Sequence, residues 1–414
     1  MSEQHILLIG TVWPEPGSSA AGSRTLQLIE LFKAHNWEVT FACAAAESEF
    51  MIDLESYGVK KVNIQLNNSS FDAFIRNLKP DIVLFDRFMI EEQFGWRVAE
   101  NWPDALRVLD TIDLHCLRLA RQAALKEKRS FTADDLYNET AKREIASIYR
   151  CDCSIMISMF EMNVLQDHFK IPVPLLHYTP FLLEPLTEKD MLSWPSFRDR
   201  SHFITIGNFL HEPNWNGVLF LKEEIWPLIR KQLPQAQMHV YGAYASQKVN
   251  QLHNAKDGFL IKGRAPNAKE VMLQSRVCLA PLRFGAGLKG KLIDAMECGT
   301  PSVTSSIGAE GMHGSFDWPG VITDTVSEFV EGSVKLFTSE DEWNKASRLS
   351  EQIINGMFAK DLHSGDLIEK LLNLKVNLVM HRRANFTGAM LTHHTISGTK
   401  YMSRWIEEKN KKPL

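Results

Sequence analysis

The sequence has no strong charge of either sign, no disulfide pattern and no long apolar run, and each absence removes a class of function. Its 414 residues carry a formal net charge of −4, which leaves none of the basic footprint of a nucleic-acid binder. The six cysteines form no framework. Cys43, Cys278 and Cys298 lie in or beside apolar runs, where a thiol behaves as a small hydrophobe. Cys151 and Cys153 have no second pair with which to build a zinc site. A structural role is expected for all six. No uninterrupted apolar stretch nears the roughly 20 residues of a spanning helix, and the N-terminus lacks the basic and apolar segments of a secretory signal. A cytoplasmic location is therefore expected. Long low-complexity segments and internal repeats are also missing. What remains is an ordinary globular composition, 44% hydrophobic and 23% charged, in a chain long enough for two or three domains.

Strand-like and helix-like segments alternate. Residues 5–10, 38–43, 81–86, 105–109 and 153–158 read as strands and 23–35 as a helix, the pattern of a parallel sheet with helices on both faces. A polar segment near 184–201, carrying Pro185 and Pro195, marks a boundary, and a second sheet starts at His202. The expected organisation is a first domain over 1–190, a linker over 191–200, a second domain over 201–360, and a helix with a basic tail over 361–414.

The densest chemistry lies between Pro281 and Pro301. An apolar strand over 277–280 leads through Arg283 into the turn Gly285-Ala286-Gly287. Leu288, Leu292, Ala295 and Met296 then recur at helical spacing until Gly299 and Pro301 end the helix. Lys289 and Lys291 fall in its first turn, where an exposed cation opposes the macrodipole by about 0.3–1 kcal/mol. A glycine turn, a helix N-terminus and two lysines make sense together around an anion, with phosphate the first candidate. Spacing alone equally allows a solvated lysine pair.

This stretch resembles the donor-site signature of family-four retaining glycosyltransferases, which have the GT-B fold. Segments 203–207, 213–217, 226–227, 234–242, 259–263, 301–304 and 308–311 follow that family's donor domain in order, so the resemblance spans about 201–340. It implies two Rossmann-like α/β domains facing each other across a cleft, with a C-terminal helix over about 361–380 crossing back to the first. It implies that Asp294 holds the ribose hydroxyls of a sugar nucleotide, since a carboxylate accepts hydrogen bonds from both. The usual family helix has two glutamates eight positions apart. Here those positions are Ala286 and Asp294, so the chain is similar to a branch with a Gly-x-Gly-x-Lys-x-Lys motif. Gly207, Arg283, Gly285, Ala286, Gly287, Leu288, Lys289, Lys291 and Asp294 become the donor-side candidates. The implied reaction moves a sugar from a nucleoside diphosphate sugar to a hydroxyl of a saccharide or lipid-linked acceptor, with retention and without cofactor or metal. No Asp-x-Asp triplet occurs, which argues against the metal-dependent alternative fold. A sugar-nucleotide epimerase and a non-catalytic sugar-nucleotide-binding scaffold stay open as rivals.

In the first domain, the first strand ends in a loop rich in small residues that contains Gly17, Gly22, Ser23 and Arg24. Small residues let the backbone approach a ligand, and the next helix offers free amides. Gly17 and Gly22 have Walker spacing, but Ser23-Arg24 replaces the required Lys-Ser or Lys-Thr. The resemblance implies that this loop faces the donor diphosphate. Asp86 and Arg87 follow one strand, and Asp110, Asp113 and His115 follow another, where open α/β sheets place ligands. They are the acceptor-side candidates, although Asp110 and Asp113 suit helix capping as well. Basic stretches at 126–129, 381–383 and 409–412 are either solvated faces or a contact with anionic lipid.

Overall fold

The computed structural model describes residues 4–411. Strands β1 (His5–Gly10), β2 (Glu38–Cys43), β3 (Lys60–Asn63), β4 (Ile82–Asp86), β5 (Leu106–Asp110), β6 (Cys153–Met156) and β7 (Leu176–Tyr178) form a parallel sheet in the order β3-β2-β1-β4-β5-β6-β7. Strands β8 (His202–Ile206), β9 (Met238–Tyr241), β10 (Phe259–Gly263), β11 (Ser275–Ala280), β12 (Ser302–Thr304) and β13 (Gly320–Ile322) form a second, in the order β10-β9-β8-β11-β12-β13. The central strands read as near-continuous apolar runs because helices cover both faces. In β1, Ile6, Leu7, Leu8 and Ile9 are all buried, alternately feeding two separate core clusters.

Three strands escape the sequence reading. β3 is half exposed at a sheet edge, and β7 and β13 have only three residues each. Their partners define them more than their composition does. The six cysteines are all buried and unpaired.

Both sheets reverse strand order once, between β1 and β4 and between β8 and β11. At such a switch point the neighbouring loops diverge and leave a crevice beyond the carboxyl ends of the strands. The two crevices face each other. The chain crosses between domains twice, side by side, where Leu183 N–H donates to Phe358 O and Lys360 N–H donates to Leu183 O, both at 2.8 Å. The returning helix Ser364–Val376 then buries Leu367, Ile368, Leu371 and Leu374 in the core of the first domain, as expected for the crossing segment. A further helix, Phe386–Asn410, follows and packs on helices Phe88–Asn101 and Glu139–Arg150. Lys412, the last residue of the basic stretch, lies outside the described residues.

Within the 191–200 segment, Trp194 and Arg200 are already docked on the second domain. Trp194 Nε1 donates to Glu297 O, and a Cβ on Gly299 would sit 2.2 Å from the Trp194 ring. Arg200 donates to Thr300 Oγ1 and Cys298 O.

Candidate functional site

The motif helix runs over Gly290–Glu297 with Lys289 as its N-cap. Lys289 therefore precedes the first turn instead of lying in it, and only Lys291 is a first-turn cation. The reason is the left-handed residue Gly287, at φ 63°, which holds the chain in a turn up to residue 289. Helix Ala20–Ala34 also begins earlier than the sequence suggests, because Ser19 caps it by accepting from Gly22 N–H. Neither helix has an acidic residue in its first turn. Their N-termini meet head to head. A Cβ on Gly290 would stand 2.7 Å from that of Ala20, so free amides from both domains converge, the arrangement that favours an anion.

Lys291 and Asp294 are both partly exposed on the motif helix. The Lys291 ammonium donates to Asn214 Oδ1 at 2.8 Å, and Asn214 is held against Gly207 by its own bond to Asn208 O. Burial lowers the Lys291 pKa to about 8. Burial, reinforced by the charge of Glu297, raises Asp294 to about 7. Among the described residues no hydrogen bond engages the Asp294 carboxylate, so both oxygens are free to accept. A ligand that needs an ammonium and a carboxylate together finds both charged only between these values. Affinity for a nucleoside diphosphate is expected to rise through about pH 7 as Asp294 ionises and fall above about pH 8 as Lys291 loses its proton. Calorimetric titration across that range checks this, and a flat profile would remove the pair from the site.

Lys289 sits differently. It is 8% exposed and donates to Gly287 O at 2.6 Å. Burial lowers its pKa, while the carboxylates of Glu310 and Glu161 counteract that shift. Its charge balances a buried seam between the domains. Across that seam Arg121 holds Glu310 through two bonds of 2.7 and 2.9 Å and also donates to Gly285 O. Glu161 Oε1 accepts from Leu114 N–H in its own domain and from Gly287 N–H in the other, at 3.0 and 2.7 Å. Ala286 enters the core of the first domain, and Leu288 joins a cluster of the second. Arg283 stands apart from the lysines. It donates to Asn216 Oδ1 over the Phe220 ring and faces a cavity of about 320 Å³ shared with Leu125 and Thr325.

On the first-domain side, Arg24 turns inward. Its guanidinium is 1% exposed, donates to both oxygens of Asp110 at 3.2 Å and reaches Pro180 O. It is the fifth residue of its helix and is paired within the first domain, so although its loop is implied to face the donor diphosphate, Arg24 itself turns away from the cleft. Removing one partner of such a pair strands a buried charge. Arg24→Ala is expected to lower unfolding free energy by about 3–5 kcal/mol, read from urea denaturation. A variant as stable as the parent but unable to bind nucleotide would return Arg24 to the donor site. Among the described residues the Ser23 hydroxyl donates to nearby carbonyls alone, Pro16 O and Ser19 O. Gly22 lets the helix press on Glu15, where a Cβ would lie 2.4 Å from its backbone. Gly17 approaches Arg264 of the opposite domain. That loop is tied across the cleft by Tyr244 Oη donating to Glu15 and by Arg264 Nε donating to Ser18 Oγ.

The acceptor-side candidates do meet. Asp86 Oδ2 accepts from Thr11 N–H, and Arg87 N–H donates to Asp110 O. Arg87 and Ile112 hold φ of 70° and 61°, values that non-glycine residues avoid and that concentrate at functional sites. Around Ile112 the chain makes a three-residue turn closed by Asp113 N–H to Thr111 O at 2.7 Å, a strained γ-turn geometry. The Asp113 carboxylate accepts from Arg118 Nε at 2.6 Å. Burial opposes its ionisation, but His115, Arg118 and His211 together hold its pKa well below the usual range. His115 lies between Asp113 and Glu144 at 3.6 Å from each, edge-on to Phe88. Burial disfavours its charge, yet the two carboxylates prevail and raise its pKa. Neither Asp110 nor Asp113 caps helix His115–Lys126. Glu144 accepts from His115 N–H and Cys116 N–H, both at 3.0 Å.

Glu161, Glu144, Arg121, Glu310 and His211 are the members that the sequence did not disclose. Each looks like an ordinary helix or loop residue, and its partner lies far along the chain. Asn214 and Glu310 fell inside segments already singled out, without any role being read for either. His211 is exposed in the cleft wall, and Asp113, Arg118, Lys291 and Arg87 act on it from around the opening.

Residues 200–339, a third of the chain, match the family described as glycosyl transferases group 1. The whole chain resembles solved structures at low identity. Sucrose-phosphate synthase from Thermosynechococcus elongatus superposes with a TM-score of 0.66 at 15% identity, covering 90% of this chain and 100% of that one. HepE from Anabaena, in complex with UDP and glucose, gives 0.66 at 14% with the same coverage. WaaG, a glycosyltransferase involved in lipopolysaccharide biosynthesis, gives 0.60 at 10%, covering 87% of this chain and 98% of that one. The chain has the GT-B fold. No curated protein sequence matches significantly. In the GT-B frame the matched residues are the second domain, which carries Lys291 and Asp294, while the strained turns at Arg87 and Ile112 belong to the first.

Proposed function

We propose that the protein is a retaining glycosyltransferase that moves a sugar from a nucleoside diphosphate sugar to the hydroxyl of a saccharide or lipid-linked acceptor, without a metal. The observation that carries this reading is the pairing of Lys291 and an open Asp294 carboxylate on one helix whose N-terminus meets a second helix N-terminus across the cleft. The carboxylate suits a ribose diol. The ammonium and the converging amides suit a diphosphate, whose negative charge grows as the glycosidic bond breaks. A cation and two helix ends supply that stabilisation with no metal. Lys289 keeps the Gly285–Leu288 turn in register at the seam, and Asp113, His115, Arg118 and His211 face the acceptor. The group 1 match over 200–339 and the UDP and glucose bound to the structurally similar HepE support the donor class.

The test is a thermal-shift screen against UDP-, GDP-, ADP- and dTDP-linked sugars with EDTA present, followed by chromatographic detection of a transferred sugar on candidate acceptors. A real site at saturating ligand adds about 2–3 kcal/mol. Stabilisation by one nucleotide with product formation in EDTA is expected. Stabilisation without transfer to any acceptor would favour a binding scaffold, and interconversion of the sugar nucleotide without acceptor would favour an epimerase.

A further inference from the structure

Helix Phe386–Asn410 is built inside out. At 25 residues it is about 37 Å long. The face it turns to the protein is held largely by small and polar groups. Gly388 lies so close to Tyr149 that a Cβ would stand 2.1 Å from its carbonyl oxygen. Buried Ser403 accepts from Arg97 Nη2 at 2.9 Å, Lys400 pairs with Glu100, and Glu407 accepts from Ser69 Oγ at 2.6 Å. Leu391, Ile396 and Ile406 are only half-buried. The large apolar side chains point the other way. Phe386, Tyr401, Met402 and Trp405 are 61–69% exposed, and Met390 is 47% exposed.

On a helical projection Phe386, Met390, Tyr401 and Trp405 fall within about 100° of arc, with Met402 flanking them. The preceding Val376, Val379 and Met380 are exposed too. These exposed apolar residues form two groups near the ends of the helix, with His393, His394 and Ser397 exposed between them, and exposed apolar groups clustered on a folded surface mark a contact.

Charge identifies the partner. Residues 376–411 hold six lysines and arginines against two glutamates, in a chain whose formal net charge is −4. Arg382, Lys400 and Lys411 pair with Asp152, Glu100 and Glu408, while Arg383, Arg404 and Lys409 make no ion pair among the described residues. Arg383, Arg404 and Lys409 are exposed beside the aromatic residues, and Lys409 lies 5.1 Å above the Trp405 ring. Aromatic residues with amphipathic rings, flanked by cations, match the interface of an anionic bilayer. No described helix is long and apolar enough to cross a membrane, so this one would lie along its surface. Its Glu407 end reaches Ser69, in the connection that leaves the carboxyl end of β3. All strands of that sheet are parallel, so this end is on the cleft side.

We infer that the outward face of helix Phe386–Asn410 is a docking surface for anionic lipid, with Phe386, Tyr401 and Trp405 entering the headgroup layer and Arg383, Arg404 and Lys409 meeting the lipid charge. For the transferase proposed above, on which this clause alone rests, docking would bring the cleft to an acceptor carried by the membrane.

The experiment is co-sedimentation of the full chain with vesicles of phosphatidylcholine, alone and with about one-third phosphatidylglycerol. The protein is expected to pellet with the anionic vesicles and to be released as sodium chloride rises to about 0.5 M. The triple variant Phe386→Ser, Tyr401→Ser, Trp405→Ser is expected to lose binding at least about tenfold. Arg404→Glu with Lys409→Glu is expected to lose it at low salt. These positions are exposed, and an unchanged melting temperature verifies the fold of each variant. Failure of the parent to bind either vesicle, or equal binding by the triple variant, overturns the inference. So does a concentration-dependent dimer, seen by analytical ultracentrifugation, that the triple variant abolishes, because the face would then bind a second copy. The assay contains no donor or acceptor, so its failure leaves the transferase reading intact, and the converse holds for the nucleotide screen.

Discussion

Lys291→Ala is expected to abolish nucleoside diphosphate binding while leaving the fold intact. The Lys291 ammonium is half-buried with Asn214 as its hydrogen-bond partner, and no described ion pair depends on it. Burial has already lowered its pKa to about 8, which means the fold holds this cation at some expense to stability. Its removal should leave the melting temperature of the free protein unchanged or slightly raised. A ligand diphosphate would lose its nearest positive charge in a water-poor site, where such a contact is worth about 3–4 kcal/mol, or two to three orders of magnitude in turnover. Lys289→Ala should behave differently. The Lys289 ammonium donates to the buried Gly287 O inside the seam, and leaving that carbonyl unpaired should cost about 1–3 kcal/mol of stability as well. Thermal melts with and without the best nucleotide separate the two. Equal destabilisation by both substitutions, or retained nucleotide binding in Lys291→Ala, would show that the charge assignments are reversed.

The second large effect is expected from a single methyl group. Gly287→Ala must adopt φ near 63°, which disfavours an L-residue by about 1–2 kcal/mol. Its Cβ must also enter a space where Ile112 O and Asp113 Cβ lie 2.9 Å away. Both neighbours belong to the other domain and to the strained turn on the acceptor side. Neither has a flexible end that can swing clear, so the turn or the whole seam must shift. The Gly287 N–H to Glu161 bond would stretch with it. Displacing reacting groups by about 1 Å lowers kcat/KM by roughly a hundredfold. The expected variant is folded, modestly destabilised, and impaired in turnover far more than in nucleotide affinity. Steady-state kinetics with the identified donor checks this. Wild-type kcat/KM would show that the seam relaxes freely and that its geometry is not tied to catalysis.

The candidate donor motif was legible as a unit because its residues are local. The turn Gly285-Ala286-Gly287, Lys291 and Asp294 lie within ten residues of one another, and helical spacing alone puts Lys291 and Asp294 on neighbouring positions of one face. The long apolar strands were legible for a similar reason, since burial on both faces imprints the run itself on the sequence. Where the sequence reading went astray, a long-range partner had taken over a local role. Lys289 and Arg24 read as phosphate-facing cations from their positions. The fold ties the Lys289 ammonium to Gly287 O in the seam, in the field of Glu310 and Glu161, and Arg24 to Asp110. For helix His115–Lys126 the sequence offered Asp110 and Asp113 as caps, as an alternative to a site role. The carboxylate that caps it is Glu144, nearly thirty residues on.

The sequence by itself determined two parallel α/β sheets and the composition of the motif turn, because hydrophobic periodicity and turn chemistry are properties of neighbouring residues, whereas the crossing helix was expected from the family resemblance alone. Only the tertiary structure decided which charges face the cleft and which neutralise one another at the seam. It alone turned the aromatic residues of the last helix outward. Ion pairs and close backbone approaches join residues far apart in the chain, 86 positions for Arg24 and Asp110 and 189 for Arg121 and Glu310, and their strength depends on burial, which no local pattern encodes.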